Sequence, residues 1–279
     1  MKEDIYLSLR DCLERATGRD VTMERGRWDP DAFNILVGLQ YLNRKAAREL
    51  VASSVRYGLF DVEILDHGMI NYKPDTRRFF EDEERAVFQR AAFFLSYFRQ
   101  SCDEVARTGL AAYQITPGFC TGLRTHSPRS EEQRDIDALY FGHVDEHRAR
   151  ILDALSERCK LVVLRPRDAI TFQTRNSLAA RARVVLSLGR AAPFGHIGPM
   201  RLIGMAHLPS FCLSEAPRLS QPELAPFAHF VEDTDDLPQR ALDALADPAF
   251  RSSKEEAAAE ALHELQPVAE LKRCLDETL

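Results

Sequence analysis

Apolar and polar positions fall into short alternating blocks along this chain. A polar first helix is predicted over residues 5–16, and the run Phe-Asn-Ile-Leu-Val-Gly-Leu at 33–39 predicts a strand that reaches Gly38 and leads into a helix from residue 46. Residues 58–66 predict a second strand, ending at Asp66, His67 and Gly68. Residues 91–97 fit a third strand or a helix, and 109–118 fit a short strand closed by Pro117 and Gly118. Past residue 136 the alternation is cleaner, with strands at 137–141, 160–164, 183–188 and 211–214 separated by helices at 146–158, 174–181 and 199–206. Alternation at this spacing implies an α/β fold, with parallel sheets covered by helices on both faces. The rest is helical, over 237–245, 252–265 and 268–278.

Residues 127–135 are polar, charged and contain a proline, the composition expected where few contacts cross between domains. The expected organisation is an N-terminal lobe over 1–126, a linker over 127–135, a C-terminal lobe over 136–261 and a terminal helix over 262–279. With 279 residues, 45% hydrophobic and 29% charged, the chain is large enough for two lobes that each bury a core. Lys and Arg total 37 against 43 Asp and Glu, and the net charge of −6 argues against nucleic acid as the main partner. The six cysteines are scattered with no C-x-x-C pair, which fits reduced core thiols rather than a zinc knuckle or disulfide scaffold. No signal peptide or transmembrane run is evident, so a cytoplasmic location is expected.

In open parallel sheets ligands bind beyond the carboxyl ends of the strands, so the loops leaving those ends are where chemistry is sought. The first begins at Gly142 and His143, after which Asp145 can cap a helix from Glu146 and Arg148 can supply a charge-assisted fork. It also reads as an ordinary strand-to-helix turn. The second runs from Phe194 through Gly195, His196, Ile197 and Gly198 to Pro199, Met200 and Arg201. Pro199 suits the first position of a helix whose exposed amides suit an anion. The third is Ser214 and Glu215, able to bond sugar or ribose hydroxyls or to form a solvated turn. His143 and His147 stand four apart, but a metal site there would need a helix that Gly142 and Val144 disfavour, so no metal is expected. Asp66 beside His67 has the make-up of a general base, at a predicted strand end. The aromatic run at 93–98 reads as core more readily than as a sugar platform.

These segments, in this order, resemble the donor-binding half of bacterial GT-B-type glycosyltransferases. In that family a strand of the kind Val-Leu-Phe-Tyr-Gly-Ser precedes Asn-x-Arg-Arg, similar to residues 136–143 followed by Glu146, His147 and Arg148 here. An Ala-Lys-Ile-Val-Leu-Asn strand resembles residues 182–187. A His-Pro-Met-Arg-Ile-Ile-Glu-Ala segment followed by Val-Ile-Ser-Glu resembles 198–206 and 212–215. A Tyr-Asp-Asp-Leu stretch and a His-Pro turn are similar to 231–237 and to Asp247-Pro248, and residues 115–119 resemble the end of the family's acceptor lobe. The likeness covers roughly residues 135–260.

The resemblance implies two Rossmann-like lobes and transfer of a sugar from a nucleotide-diphosphate sugar, without a metal or resident cofactor, to an acceptor it does not identify. It implies a donor site of Gly142, His143, Arg148, His196, Ile197, Gly198, Pro199, Met200, Arg201, Ser214 and Glu215. Asp66 and His67 would face the acceptor, and the last helix would cross back to the N-terminal lobe. Two departures stand out. His196 and Gly204 occupy the places of two glutamates in related retaining families, and the N-terminal lobe is short. The first keeps open an alternative: a catalytically silent relative that binds a nucleotide or a partner protein. An oxidoreductase is disfavoured because no G-x-G-x-x-G follows the first strand.

Overall fold

The computed structural model describes residues 3–77, 85–127, 129–168, 170–189, 196–218 and 221–279. Its contacts divide the chain into two units. One comprises Cys12–Thr116 with Gln266–Leu279 and is called N-terminal here. The other comprises Met1–Asp11 with Pro117–Leu265 and is called C-terminal. The division falls inside the first helix, α1 (Glu3–Thr17).

The N-terminal unit holds β1 (Phe33–Val37), α2 (Arg44–Ala52), β2 (Arg56–Asp61), a hairpin of β3 (Leu65–Asp66) and β4 (Met69–Ile70), α3 (Ala86–Arg90), β5 (Phe94–Ser96), α4 (Arg99–Ala106) and β6 (Ala112–Gln114). Its four-stranded sheet runs β1-β2-β5-β6, all parallel. Leu50, Leu59, Phe88, Phe94 and Val105 form its core. Gly58 is dictated by packing: a Cβ there would stand 2.4 Å from the ring of fully buried Phe93. The strand expected over 58–66 stops at Asp61, whose Oδ1 accepts the Glu63 N–H at 2.9 Å and bends the chain out of the sheet. The last helix, α10 (Pro267–Thr278), lies in this unit. Glu270 accepts the Thr116 N–H at 2.8 Å, and Tyr113 donates to Glu277 at 2.9 Å.

The C-terminal unit holds β7 (Ile136–Phe141), α5 (Glu146–Ser156), β8 (Leu161–Leu164), α6 (Phe172–Arg181), β9 (Ala182–Ser187), α7 (Pro199–Ala206), β10 (Cys212–Glu215), β11 (His229–Val231), α8 (Leu237–Ala246) and α9 (Pro248–Glu264). Its five parallel strands are ordered β11-β10-β9-β7-β8. Both faces are covered, so alternate residues of one strand enter different cores. Ala138, Tyr140, Val184 and Leu186 pack with Ile151, Leu155, Leu237 and Ala241, whereas Leu139, Phe141 and Val185 pack with Ala179 and Met205.

The segment 127–135 is not the boundary, which falls between Thr116 and Pro117. Arg134 is buried and grips the Glu255 carboxylate with both terminal nitrogens, and Glu131 receives Arg183 and Arg251. The charges that mark it as a solvated linker in composition are paired within the C-terminal unit. Among the described residues no helix is long and apolar enough to cross a membrane.

Candidate functional site

In the C-terminal sheet, the chain leaves β7 toward β8 on one side and leaves β9 toward β10 on the other. The carboxyl ends of β7 and β9 therefore flank a crevice, the place where doubly wound sheets hold ligands. Gly142 ends β7, and Leu188 and Gly189 follow β9.

Arg201 lies in the first turn of α7, which Pro199 begins and Gly198 precedes in extended conformation. Its guanidinium carbon sits 5.2 Å from the centre of the Phe141 ring and 5.7 Å from that of Tyr140. Among the described residues no carboxylate lies within salt-bridge distance of it. Burial pushes the guanidinium below its ordinary value, and the charge of nearby Arg148 adds to that. The residue keeps some exposed surface. Gly142 makes this packing possible: its φ is 144°, and a Cβ would come within 3.0 Å of both Arg201 Nη2 and the Tyr140 hydroxyl.

Asp145 caps α5 by accepting the Arg148 N–H at 2.9 Å. The side chain is buried and donates to the carbonyls of Gly189, His143 and Leu188 at 2.8, 2.9 and 2.9 Å. Three of its five N–H groups are spent in holding the β7 and β9 loops together, so the buried side chain frames the crevice.

Ser214 and Glu215 are also turned inward. The Ser214 hydroxyl lies between the carbonyls of Ser187 and Glu215. Glu215 accepts the Gly189 N–H, the Thr234 hydroxyl at 2.8 Å and His147 Nε2 at 2.7 Å; a carboxylate has no proton to give, so Nε2 carries it. Both complete backbone and side-chain bonds that burial would otherwise leave unmade.

Among the other expected contacts, His143 is exposed and its carbonyl serves Tyr140 and Arg148. Ile197 is buried, with its N–H and carbonyl both held by the Gln221 amide. Pro199 and Met200 are buried and Gly198 is exposed, while His196 is half-buried. Phe194 and Gly195 lie outside the described residues. Among the described residues no three His, Cys, Asp or Glu side chains are arranged to hold a metal.

Asp66 and His67 are in the N-terminal unit. They belong to the tight β3–β4 hairpin, whose turn residues His67 and Gly68 have φ of 49° and 67°. His67 Nε2 stands 3.8 Å from Asp66, with the ring largely in solvent. The carboxylate at a strand end of this sheet is Asp61, fully buried, with Oδ2 accepting the Leu39 N–H at 2.8 Å and burial pushing it up to about 7. Its position directly after the apolar residues ending β2 was the available signal. The aromatic run at 93–98 is core.

No protein-family model matches the sequence, and the search of curated proteins found no match to it. Solved structures are. A Staphylococcus aureus TarM variant in complex with fondaparinux, alpha-GlcNAc-glycerol and UDP aligns at TM-score 0.59 and 10% identity over 87% of this chain and 54% of that one. An E. coli trehalose-6-phosphate protein bound with UDP-2-fluoro glucose aligns at 0.55 and 11%, over 90% and 73%. A UDP-N-acetylglucosamine 2-epimerase-like protein from Listeria monocytogenes aligns at 0.50 and 13%, over 99% and 80%. The chain thus spans about half the length of the TarM chain it matches. Two parallel-sheet units, the second reversing its strand order at β7 and β9, together with these likenesses, give the chain a GT-B glycosyltransferase-like fold.

Proposed function

We propose that the chain is a cytoplasmic glycosyltransferase that takes a sugar from a nucleotide-diphosphate sugar held by the C-terminal unit and passes it to an acceptor without a metal ion. The observation that carries this reading is Arg201: a desolvated cation with no carboxylate partner among the described residues, beside Gly142 and the first turn of α7. A diphosphate supplies the missing negative charge, and the guanidinium fork and helix amides suit its oxygens. The same charge favours the leaving nucleoside diphosphate as it departs from the anomeric carbon, because donors fixed beforehand need no reorganisation as charge develops. Arg148 and Glu215 act behind this site by fixing the two loops that shape it. That TarM and the E. coli protein were captured with UDP or a UDP-sugar supports a nucleotide of this kind.

Gly204 favours a second reading. It takes the place of a glutamate in the related retaining families, and nothing stands within 4 Å of where its Cβ would be, so the ribose contact of those families has no counterpart there. A silent nucleotide-binding subunit fits that loss. Incubating the full chain with UDP-glucose and UDP-N-acetylglucosamine, and measuring UDP release beside UDP binding, separates the two. Release above background supports the transferase, binding without release supports the silent subunit, and absence of binding to uridine, guanosine, cytidine and thymidine diphosphates overturns both.

A further inference from the structure

Tyr41 is the one exposed Phe, Tyr or Trp side chain among the described residues, 59% accessible, and it is held in place rather than left to rotate. Its ring packs against the backbone of Gly38, where a Cβ would stand 2.9 Å from Cδ2 and where φ is 81°. Its hydroxyl accepts from the Gln40 side-chain amide at 2.9 Å, and the same amide donates to Glu63 Oε1 at 2.6 Å. Glu63 Oε2 in turn accepts from Asn71 Nδ2 at 2.7 Å, in a residue whose backbone φ is 51°. Behind them Asp61 ties the two loops together, taking the Leu39 N–H on one oxygen and the Glu63 N–H on the other.

Fixing a solvent-facing side chain costs rotamer freedom that burial does not offset here. A network that does so anyway presents a flat ring, with a carboxylate and an amide at its edge, beyond the carboxyl ends of β1 and β2. An aromatic face carries negative charge density that suits the C–H face of a pyranose, and a carboxylate accepts from neighbouring ring hydroxyls. A nucleobase would match the ring but offers few donors for the carboxylate.

We propose that this ledge of Gln40, Tyr41 and Glu63 in the N-terminal unit is a saccharide site, with a pyranose stacked on Tyr41 and its hydroxyls bonded by Glu63 and Gln40. The inference rests on this geometry alone. If the chain is a transferase, the ledge is where a sugar-containing acceptor binds.

The test is saturation-transfer NMR and titration of the full chain with cellobiose, maltose and chitobiose, on wild type, Tyr41→Ala and Tyr41→Trp. At least one disaccharide is expected to receive saturation at its ring C–H protons. Its affinity should fall about three- to tenfold in Tyr41→Ala and persist in Tyr41→Trp, since a stacked ring is worth that much beyond its area. UDP affinity, set in the other unit, is expected to stay the same in all three proteins. Absence of transfer with every disaccharide, transfer that Tyr41→Ala leaves unchanged, or displacement of the disaccharide by uridine overturns the proposal. UDP binding is scored separately, so failure here and failure of the donor-site reading are distinguishable.

Discussion

Replacing Arg201 with methionine is expected to leave the fold nearly as stable while weakening UDP binding by about ten- to a hundredfold. Methionine keeps an apolar stem against Tyr140 and Phe141, so the lost contact is the cation over two rings, worth about 0.5–2 kcal/mol. Against that stands the relief of a guanidinium whose burial, without a carboxylate partner, already lowers it from its ordinary value. A sulfur–aromatic contact returns about 0.3–1.5 kcal/mol as well, so the unfolding free energy should change by less than about 1 kcal/mol. That corresponds to about 2–4 °C in Tm for a protein of this size. Binding is different, because charge-assisted bonds to a phosphate contribute about 1.5–3 kcal/mol. Titration calorimetry with UDP measures the affinity, and thermal scans provide a second readout. At a UDP concentration a hundred times the wild-type Kd, the stabilisation of about 2.7 kcal/mol should shrink to about 0.4–1.4 kcal/mol. Unchanged UDP affinity in a folded variant refutes the reasoning, and so does a drop in Tm well beyond 4 °C, which would make Arg201 a structural cation.

Gly142→Ala should lower both stability and UDP affinity. An L side chain at φ 144° is strained by about 1–3 kcal/mol, and its Cβ would displace Arg201 from Tyr140; urea unfolding and calorimetry should therefore move together. Glu215→Ala removes a carboxylate that Gly189, Thr234 and His147 share in the interior, and should cost about 3–5 kcal/mol in urea unfolding; a loss of nucleotide affinity without that cost would show that Glu215 serves the ligand. His207 is buried and neutral, donating from Nδ1 to the Ile203 carbonyl and accepting the Cys120 N–H on Nε2, and burial lowers its folded value. The unfolded chain therefore takes up a proton first. The contribution of His207 to stability is complete above about pH 6.5 and is lost as the pH falls through the lower folded value; the wild-type slope in this range should flatten in His207→Gln.

Much of the C-terminal unit was legible because its strands are buried on both faces and its helices carry local start signals. Asp145, Pro199 and Asp247 mark helix starts through bonds and dihedrals within one turn, and such signals survive in a linear sequence. In the N-terminal unit short strands interrupted by turns carry less pattern. The run at 91–97, open between strand and helix, became the strand β5 because it pairs with β2 and β6. The helix α4 and the strand β11 went unread, the latter being only three residues long.

The glycine and proline loops that could approach a phosphate were visible in the sequence, as were Arg148 and Arg201 as candidate cations. How Arg148 is held was not. That depends on carbonyls some forty positions from Arg148, those of Leu188 and Gly189, which the sheet order β9-β7 brings beside it. Glu215, Arg134 and the apparent linker follow the same rule: a charged residue in a sequence looks solvated until its partner, far along the chain, is placed next to it. Tyr41 is the converse, an aromatic residue whose exposure and tether depend on Gly38, Glu63 and Asn71 meeting at one edge. Local periodicity and capping chemistry act over a few residues, so the sequence alone determines the elements they govern. Which polar groups are used up inside the protein and which remain for a ligand is settled by long-range pairing, and only the tertiary structure decides it.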